Sequence, residues 1–180
     1  INKALPIYFM LAIFLTFLAK YVVEILVDEK YYGVYIFTTF GIWIEFFRMS
    51  SNLFGNISQS EMNTKKFMTP YIIGSLVTII LVYFSSSKVD YEFYLPIALL
   101  IGGLFTMIVM YISMKNLIDF KIDFRLIFFS FLVSLPYFST YVFDFETNLV
   151  LNLLVVGSFG IYFLGTIYFI YKKGLSYGNS

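Results

Sequence analysis

The sequence predicts an all-α fold, a polytopic membrane helix bundle with about six transmembrane helices, and three observations lead to this prediction. Hydrophobic residues make up 60% of the 180 residues and aromatic residues 22%, whereas only 13% are charged. The apolar residues fall into stretches of roughly the 20 residues that cross a bilayer as a helix. Only short polar joints separate these stretches. Such a composition suits lipid as the solvent, so residues 1–180 are expected to form a single transmembrane helical domain.

Six segments are predicted to cross the membrane. In chain order they are roughly 4–27, 34–54, 69–84, 95–113, 126–143 and 149–171. The third is short and is expected to extend into its flanks. The first begins at Ala4, is too long for a signal-peptide core and lacks a cleavage site, so it is interpreted as a membrane helix. The missing start methionine indicates a fragment of a longer chain.

The distribution of Lys and Arg predicts the orientation of the six spans. The outer side carries only Lys30 and Lys88. The side of the N-terminus carries Lys3, Arg48, Lys65, Lys66, Lys115, Lys121, Arg125, Lys172 and Lys173. Because positive charge accumulates on the cytoplasmic side, both termini of this segment are predicted to be cytoplasmic.

The first span carries polar residues at four-residue steps: Thr16, Lys20, Glu24 and Asp28. This spacing places them on one face of a helix. In one interpretation, this face lies against a polar face of the second span, with Lys20 level with about Gly41. In the other, Lys20 extends to the membrane interface and pairs with Glu24 one turn away.

The second span has the longest polar face. The residues that recur on it at three- and four-residue steps are Thr38, Gly41, Glu45, Arg48, Asn52, Asn56 and Gln59. Lipid would leave such side chains unsatisfied, so the face is expected to line a wet cavity. The alternative is a packing seam between helices that contains a structural Glu45–Arg48 ion pair.

The remaining spans carry packing signals. Ala98, Gly102 and Thr106 form a small-residue face on the fourth span, where a neighbouring helix can approach closely. Asn152 and the segment 157–160 of the sixth span are also interpreted as close-packing residues.

Pro136 interrupts the fifth span and predicts a kink near Leu132. Ser130, Ser134 and Ser139 are available to satisfy the freed carbonyl groups. The kink is either a hinge or a packing device.

The sequence argues against several function classes. Cys and His are both absent, which excludes disulfides, thiol nucleophiles and a Ser-His-Asp triad, and the net charge of +1 provides no field for nucleic acid. No nucleotide-binding, hydrolase or metalloprotease motif is present. Asp119 and Asp123 could hold a divalent metal, but a solvated loop of mixed charge fits them better. The chain is therefore expected to be no enzyme and to need no cofactor.

A family resemblance rests on the segment from Ala19 to Tyr32, AKYVVEILVDEKYY. It resembles a joint in the second lobe of the Wzx-type polysaccharide flippases, which transfer O-antigen or capsule precursors and belong to the multidrug/oligosaccharidyl-lipid/polysaccharide exporter superfamily. In that family a polar-striped helix follows, then a loop similar to Asn-Thr-Lys-Lys at 63–66 and a span led by Pro70. The later spans and the basic loop are also similar, so the resemblance covers nearly the whole chain.

The resemblance implies the second lobe of a two-lobed transporter in the bacterial cytoplasmic membrane, with the missing first lobe as its partner. The implied activity transfers an undecaprenyl-diphosphate-linked oligosaccharide to the outer leaflet for polysaccharide biosynthesis. Cationic side chains would neutralise the diphosphate and amides would bind sugar hydroxyls. The residues expected to bind substrate are Lys20, Arg48, Asn52, Asn56 and Gln59. Those expected to couple an ion or pair charges are Glu24 and Glu45.

Other functions stay open at this point. The chain could belong to a drug exporter or a lipid II flippase of the same superfamily, for which a coupling-ion site at Glu24 or Glu45 would be diagnostic. A membrane-embedded enzyme of glycan assembly would need a catalytic cluster in an outer loop, and these loops are short. A purely structural membrane subunit is the third alternative.

Overall fold

A computed structural model of the chain describes residues 3–120, 122–142 and 148–176. Within these ranges the backbone forms helices and turns and contains no strand, which confirms the predicted all-α class. Five segments are long and apolar enough to cross a membrane: Ala4–Leu26, Thr64–Ser86, Tyr91–Lys115, Phe124–Tyr141 and Leu149–Ile170. The chain is therefore a multi-pass membrane protein.

The α-helices are α1 (Ala4–Leu26), α2 (Tyr35–Ser60), α3 (Thr64–Ser86), α4 (Tyr91–Lys115), α5 (Phe124–Ser134), α6 (Ser139–Val142) and α7 (Leu149–Ser176). Two 3₁₀ helices, Glu29–Val34 and Leu135–Phe138, lead into α2 and α6. The predicted third span does extend into both flanks, as α3 shows.

The helix α2 differs most from the predicted second span. It continues past residue 54 to Ser60 and has 26 residues, long enough to cross a bilayer. It is not among the five helices that meet the hydropathy requirement, because charged and amide side chains interrupt its apolar residues. That α2 crosses the membrane stays a prediction, and so does the six-span topology that depends on it.

A tight turn joins α2 to α3. The N–H of Met62 donates to the carbonyl of Gln59, and the N–H of Asn63 donates to that of Ser58 at 2.9 Å. Met62 has a φ of 50°, the left-handed conformation that this helix-ending motif requires. The Asn63 side chain then caps α3 by accepting from the N–H of Lys66.

The predicted interruption of the fifth span is present at Pro136. Because proline lacks an N–H, α5 ends at Ser134 and the chain passes through the 3₁₀ helix Leu135–Phe138. The expected role of the serines in satisfying the carbonyl that Pro136 frees is wrong. The carbonyl of Leu132, which Pro136 leaves free, accepts from the N–H of Leu135. The serine hydroxyls bind other carbonyls: Ser130 that of Leu126, Ser134 that of Ser130 and Ser139 that of Pro136.

The chain forms two compact units. The middle unit is Phe40–Ile122, containing most of α2 with α3 and α4. The terminal unit contains residues up to Thr39 and from Asp123 onwards, and so joins α1 to α5, α6 and α7.

The middle unit is built on the α3–α4 pair. A Cβ at Gly74 would lie 2.9 Å from the Cβ of Thr106, and one at Gly102 would lie 3.0 Å from the Cβ of Thr78. The predicted small-residue face of α4 is therefore a close helix–helix contact. Phe54 of α2 packs against the rings of Tyr111 and Phe120, with centroids 5.6 and 5.9 Å away.

The terminal unit is built around α1. Of the 18 most apolar consecutive residues of α1, 44% are buried inside the protein. The corresponding share in the other four candidate spans is 11% to 22%. Tyr137 is fully buried beside it, with its ring edge-on to Phe14 at 5.3 Å. Phe14 in turn stacks on Phe163 of α7 at 4.5 Å. The hydroxyl of Tyr21 donates to the carbonyl of Thr140, which ties α1 to α6.

Candidate functional site

The predicted polar face of α2 exists as one continuous surface of the middle unit. Helical spacing aligns its members from residue 41 onwards, and these are exposed: Gly41, Glu45, Arg48, Asn52, Asn56 and Gln59. Thr38, the first predicted member, is only partly exposed and belongs to the terminal unit. The opposite side of the helix packs inward. Within this unit the polar face therefore lies open, apart from a contact of Asn52 with α3.

Arg48 and Glu45 form a two-point ion pair on this face. The Arg48 Nε lies 2.8 Å from Glu45 Oε2, and Nη2 lies 2.5 Å from Oε1. The Arg48 side chain is 62% exposed and that of Glu45 is 48% exposed. The charge of Arg48 is therefore balanced in this structure, while the guanidinium keeps further N–H groups for another acceptor.

Asn52 is held by a residue that the sequence did not single out. The hydroxyl of Tyr71 on α3 donates to Asn52 Oδ1 at 2.6 Å. Because its oxygen is occupied, the Asn52 amide presents its N–H₂ group as a donor. Tyr71 could not be recognised from the sequence, because it is a single tyrosine within an apolar span and is not part of a repeating polar pattern.

A groove of about 480 Å³ opens beside the ion pair. It lies among α2, α3 and α4, and its lining combines hydroxyl groups, glycines and aliphatic side chains with the single charged residue Arg48. The lining residues are Ile44, Arg48, Ser51, Tyr71, Gly74, Ser75, Thr78, Ile79, Leu99, Gly102, Gly103 and Thr106. This lining can accommodate an amphiphilic molecule, with polar contacts near Arg48 and Tyr71 and apolar contacts elsewhere.

The inward side of α2 was not recognised in the sequence. It carries Ser50, Ser51 and Ser58, each at most 1% exposed, together with Phe47 and Phe54. The small serines allow α2 to approach its neighbours. Ser51 donates to the carbonyl of Phe47 at 2.8 Å, whereas the hydroxyl of Ser50 has no partner among the described residues.

Lys20 belongs to the terminal unit and lines a cavity there of about 130 Å³. The lining residues are Thr16, Phe17, Lys20, Tyr21, Tyr35, Thr140 and Tyr141. The hydroxyl of Thr16 is buried and unpartnered within the part of the chain that the structure describes. A cavity of this size can hold a few water molecules or one small polar group, but not an oligosaccharide.

Glu24 has a polar partner on α7. Its Oε2 accepts a hydrogen bond from Asn152 Nδ2 on α7 at 3.0 Å. Asn152, interpreted from sequence as a packing residue, is thus a polar partner of α1. The predicted proximity of the Lys20–Glu24 face to the face of α2 involves both units and stays a prediction.

The described residues contain no cluster of three or more potential ligands that could hold a metal ion. Asp123, a candidate in the sequence, instead caps α5 by accepting from the N–H groups of Arg125 and Leu126. Lys121 lies outside the described residues.

Comparison with known proteins adds nothing to these observations. No family model matches the sequence, and neither curated proteins nor solved structures give a match.

Proposed function

We propose that this chain is part of a transporter that moves a lipid-linked oligosaccharide, carried on undecaprenyl diphosphate, across the bacterial cytoplasmic membrane. One observation carries the proposal. The face of α2 that includes Glu45, Arg48, Asn52, Asn56 and Gln59 is polar and exposed in a multi-pass membrane protein.

Membrane physics restricts what can lie against such a face. Charged and amide side chains in contact with hydrocarbon lose the hydrogen bonds of water and gain none in return. They are stable in a membrane only beside a wet cavity or another polar surface. A polar passage of this kind is what a hydroxyl-rich head group needs in order to cross lipid.

The groove supports an amphiphilic substrate in particular. Arg48 and Ser75 provide donors and the Tyr71 oxygen can accept, whereas Ile44, Ile79 and Leu99 are apolar. A sugar head group would bind the polar side chains while the prenyl tail stays in apolar surroundings. The family resemblance of the sequence supports the same substrate.

The ion pair refines the proposed role of Arg48. Glu45 already occupies two of its donors, so a diphosphate would compete with Glu45 for the guanidinium. Such an exchange would let Arg48 bind an anionic head group without leaving an isolated charge when the site is empty. Glu45 would then be released to water in the cavity.

A transfer assay with the complete transporter in proteoliposomes tests the proposal. The probe is an undecaprenyl-diphosphate oligosaccharide with a fluorescent sugar, and the readout is its accessibility to an impermeant quencher. The double variant Asn56→Leu/Gln59→Leu removes two hydrogen-bonding side chains of about 1 kcal/mol each, so transfer should fall about tenfold or more.

The matched control is Thr69→Leu, an exposed polar position on α3 that does not line the groove. It should transfer the probe like the wild type. Equal transfer by the double variant and the control would exclude a substrate role for this face of α2.

A further inference from the structure

The groove beside Arg48 has a closed end, where α2 and α3 touch. Gly55 of α2 lies against the ring of Phe67 on α3, so that a Cβ at Gly55 would stand 2.8 Å from Phe67 Cδ2. One turn further along the two helices, Asn52 accepts the hydrogen bond of Tyr71 at 2.6 Å. The helices run antiparallel from the turn that joins them, so these two contacts fix their register along the groove.

The same register gives the groove a polar end and an aliphatic end. Beyond Asn52 it places Arg48 level with Ser75, and one turn later Ile44 level with Ile79. Leu99 of α4 lies at the end of Ile79, because the neighbouring Thr78 lies against Gly102, one turn from Leu99. The aliphatic end of the groove is therefore formed by Ile44, Ile79 and Leu99, and the polar end by Arg48, Tyr71 and Ser75.

Three hydroxyl groups between these ends are already engaged. Ser51, Thr78 and Thr106 each donate, at 2.8 Å, to the carbonyl one turn earlier in their own helix. A hydroxyl group has a single O–H to donate, so these three side chains have no donor left for a ligand. This part of the lining suits hydrocarbon better than the hydroxyl groups of a sugar.

Arg48 also lies at a depth that restricts which phosphate it can meet. It is near the middle of α2 (Tyr35–Ser60), about 18–20 Å from either end. With α2 across the membrane, as predicted, Arg48 is close to the midplane. A phospholipid of either leaflet keeps its phosphate at the interface, about 15 Å from the midplane. A lipid phosphate at Arg48 therefore belongs to a molecule whose head group is being carried across the membrane.

We propose that the groove binds the lipid part of the transported molecule, with the diphosphate at Arg48 and the adjoining isoprenoid chain at the aliphatic end. The sugar then extends along α2 in the opposite direction, towards Asn56 and Gln59. Amides, a cation and aliphatic side chains follow one another along the site in the order in which sugar, diphosphate and chain follow one another in the ligand. This inference rests on the proposed function, because it assigns the parts of the same substrate to the parts of the same site.

The size of the groove agrees with this assignment. Its volume of about 480 Å³ is that of a site for a small molecule and not for a complete lipid-linked oligosaccharide. The polar face of α2 continues outside the groove past Asn56 to Gln59, where a sugar has room and hydrogen-bonding side chains. Only the joint between the diphosphate and the chain has to fit between α2 and α3.

Photolabelling of the complete transporter in nanodiscs tests the orientation. Two probes are compared, both undecaprenyl-diphosphate oligosaccharides. One has a diazirine on the isoprene unit next to the diphosphate and the other has it on the terminal sugar. Mass spectrometry should find the chain probe on peptides that contain residues 44, 79 and 99, and the sugar probe on residues 52–59. The reverse pattern, or the same pattern for both probes, would overturn the proposal.

A pair of matched variants tests the aliphatic end. Ile79→Ala/Leu99→Ala removes aliphatic contacts with the chain, so the affinity for undecaprenyl phosphate, measured by native mass spectrometry, should fall about tenfold or more. The control, Ile80→Ala/Ile101→Ala, truncates exposed aliphatic side chains on the same two helices outside the groove and should bind like the wild type. An equal loss in both variants would exclude a chain-binding role for the groove.

A third probe distinguishes the transported lipid from the lipid of the bilayer. Phosphatidylglycerol with a diazirine in one acyl chain should label the groove weakly, and undecaprenyl diphosphate should abolish that labelling. Strong labelling that undecaprenyl diphosphate does not reduce would make the groove a site for resident phospholipid and overturn the proposal. All these readouts report binding. Correct labelling without transfer would refute the proposed function alone, and transfer with labelling elsewhere would refute this inference alone.

Discussion

Gly74 on α3 lies directly against Thr106 on α4, so close that a Cβ at position 74 would stand 3.3 Å from the Thr106 Cα and overlap its side chain. The relationship is reciprocal, because Gly102 on α4 lies in the same way against Thr78 on α3. Each threonine hydroxyl donates to the carbonyl of the glycine one turn earlier in its own helix, at 2.8 Å. The two helices are thus held at a short distance without any free hydroxyl group in the contact.

Gly74→Ala is the first prediction. The new methyl group meets the Thr106 backbone as well as its side chain, so α3 and α4 must separate. The free energy of unfolding should fall by about 1–3 kcal/mol, the usual range for overpacking. Thermal or denaturant unfolding of the protein in nanodiscs measures the change.

The control for this prediction is Gly157→Ala, since an added Cβ at Gly157 has no neighbour within 4 Å. It should not lower stability and should gain slightly from the better helix propensity of Ala. The double variant Gly74→Ala/Thr106→Gly should recover part of the loss. If Gly74→Ala were as stable as Gly157→Ala, the close contact would not exist in the membrane.

The fold was largely predictable from sequence because its strongest signals are local. Apolar stretches long enough to cross a membrane predicted α1, α4 and α7, and Pro136 predicted the break after α5. The predicted second span ended at about residue 54, although the predicted polar face already continued on the same helix to Gln59. In the structure α2 continues to Ser60, and the turn at Met62 follows it.

For the candidate site, the sequence predicted which residues share a face of one helix but not which residues of different helices meet. Periodicity placed Glu45, Arg48 and Asn52 on one face, and spacing alone suggested the Glu45–Arg48 pair. The partners Tyr71 for Asn52 and Asn152 for Glu24 lie on other helices. The residues in these two contacts are 19 and 128 positions apart in the chain, so the contacts depend on how the helices pack. The spacing of polar residues along a single helix gives no information about that packing.

Reversal of the ion pair, Glu45→Arg/Arg48→Glu, is the second prediction. The exchanged pair can still form at the same spacing, so the protein should reach the membrane at the wild-type level. Transfer of the lipid-linked oligosaccharide should nevertheless be lost, because the cation has moved one turn away from the groove. Immunoblots of membranes and the transfer assay measure the two effects.

Single substitutions complete that experiment. Arg48→Gln and Glu45→Gln each leave one unpaired charge in the predicted second span, which is costly to insert, and should lower the amount of protein in the membrane more than the reversed pair does. Wild-type transfer by the reversed pair would show that the ion pair is structural and that Arg48 does not bind substrate.

Tyr71→Phe is the third prediction. It removes the 2.6 Å hydrogen bond to Asn52 Oδ1 but keeps the ring. Without this bond, worth about 0.5–1.5 kcal/mol, the Asn52 amide is no longer oriented, and transfer should fall roughly two- to tenfold. Stability should change little because the site is exposed. Tyr83→Phe, an exposed tyrosine on the same helix, is the control, and an equal effect of both variants would contradict the orienting role of Tyr71.

The fourth prediction is the crossing of the membrane by α2. Its 26 residues span about 39 Å, which is longer than the hydrocarbon core of a bilayer is thick. Whether α2 crosses the membrane therefore depends on its polar face and not on its length. Because the chain lacks Cys, single cysteines at Lys30, Lys65, Lys88 and Lys115 can be probed with an impermeant maleimide in intact cells. If α2 crosses, Lys30→Cys and Lys88→Cys should react from outside while Lys65→Cys and Lys115→Cys stay protected until the membrane is opened. If Lys30→Cys and Lys65→Cys reacted alike, α2 would lie on one side of the bilayer. Its polar face would then meet bulk water, and the cavity on which the proposed transport depends would have no physical basis.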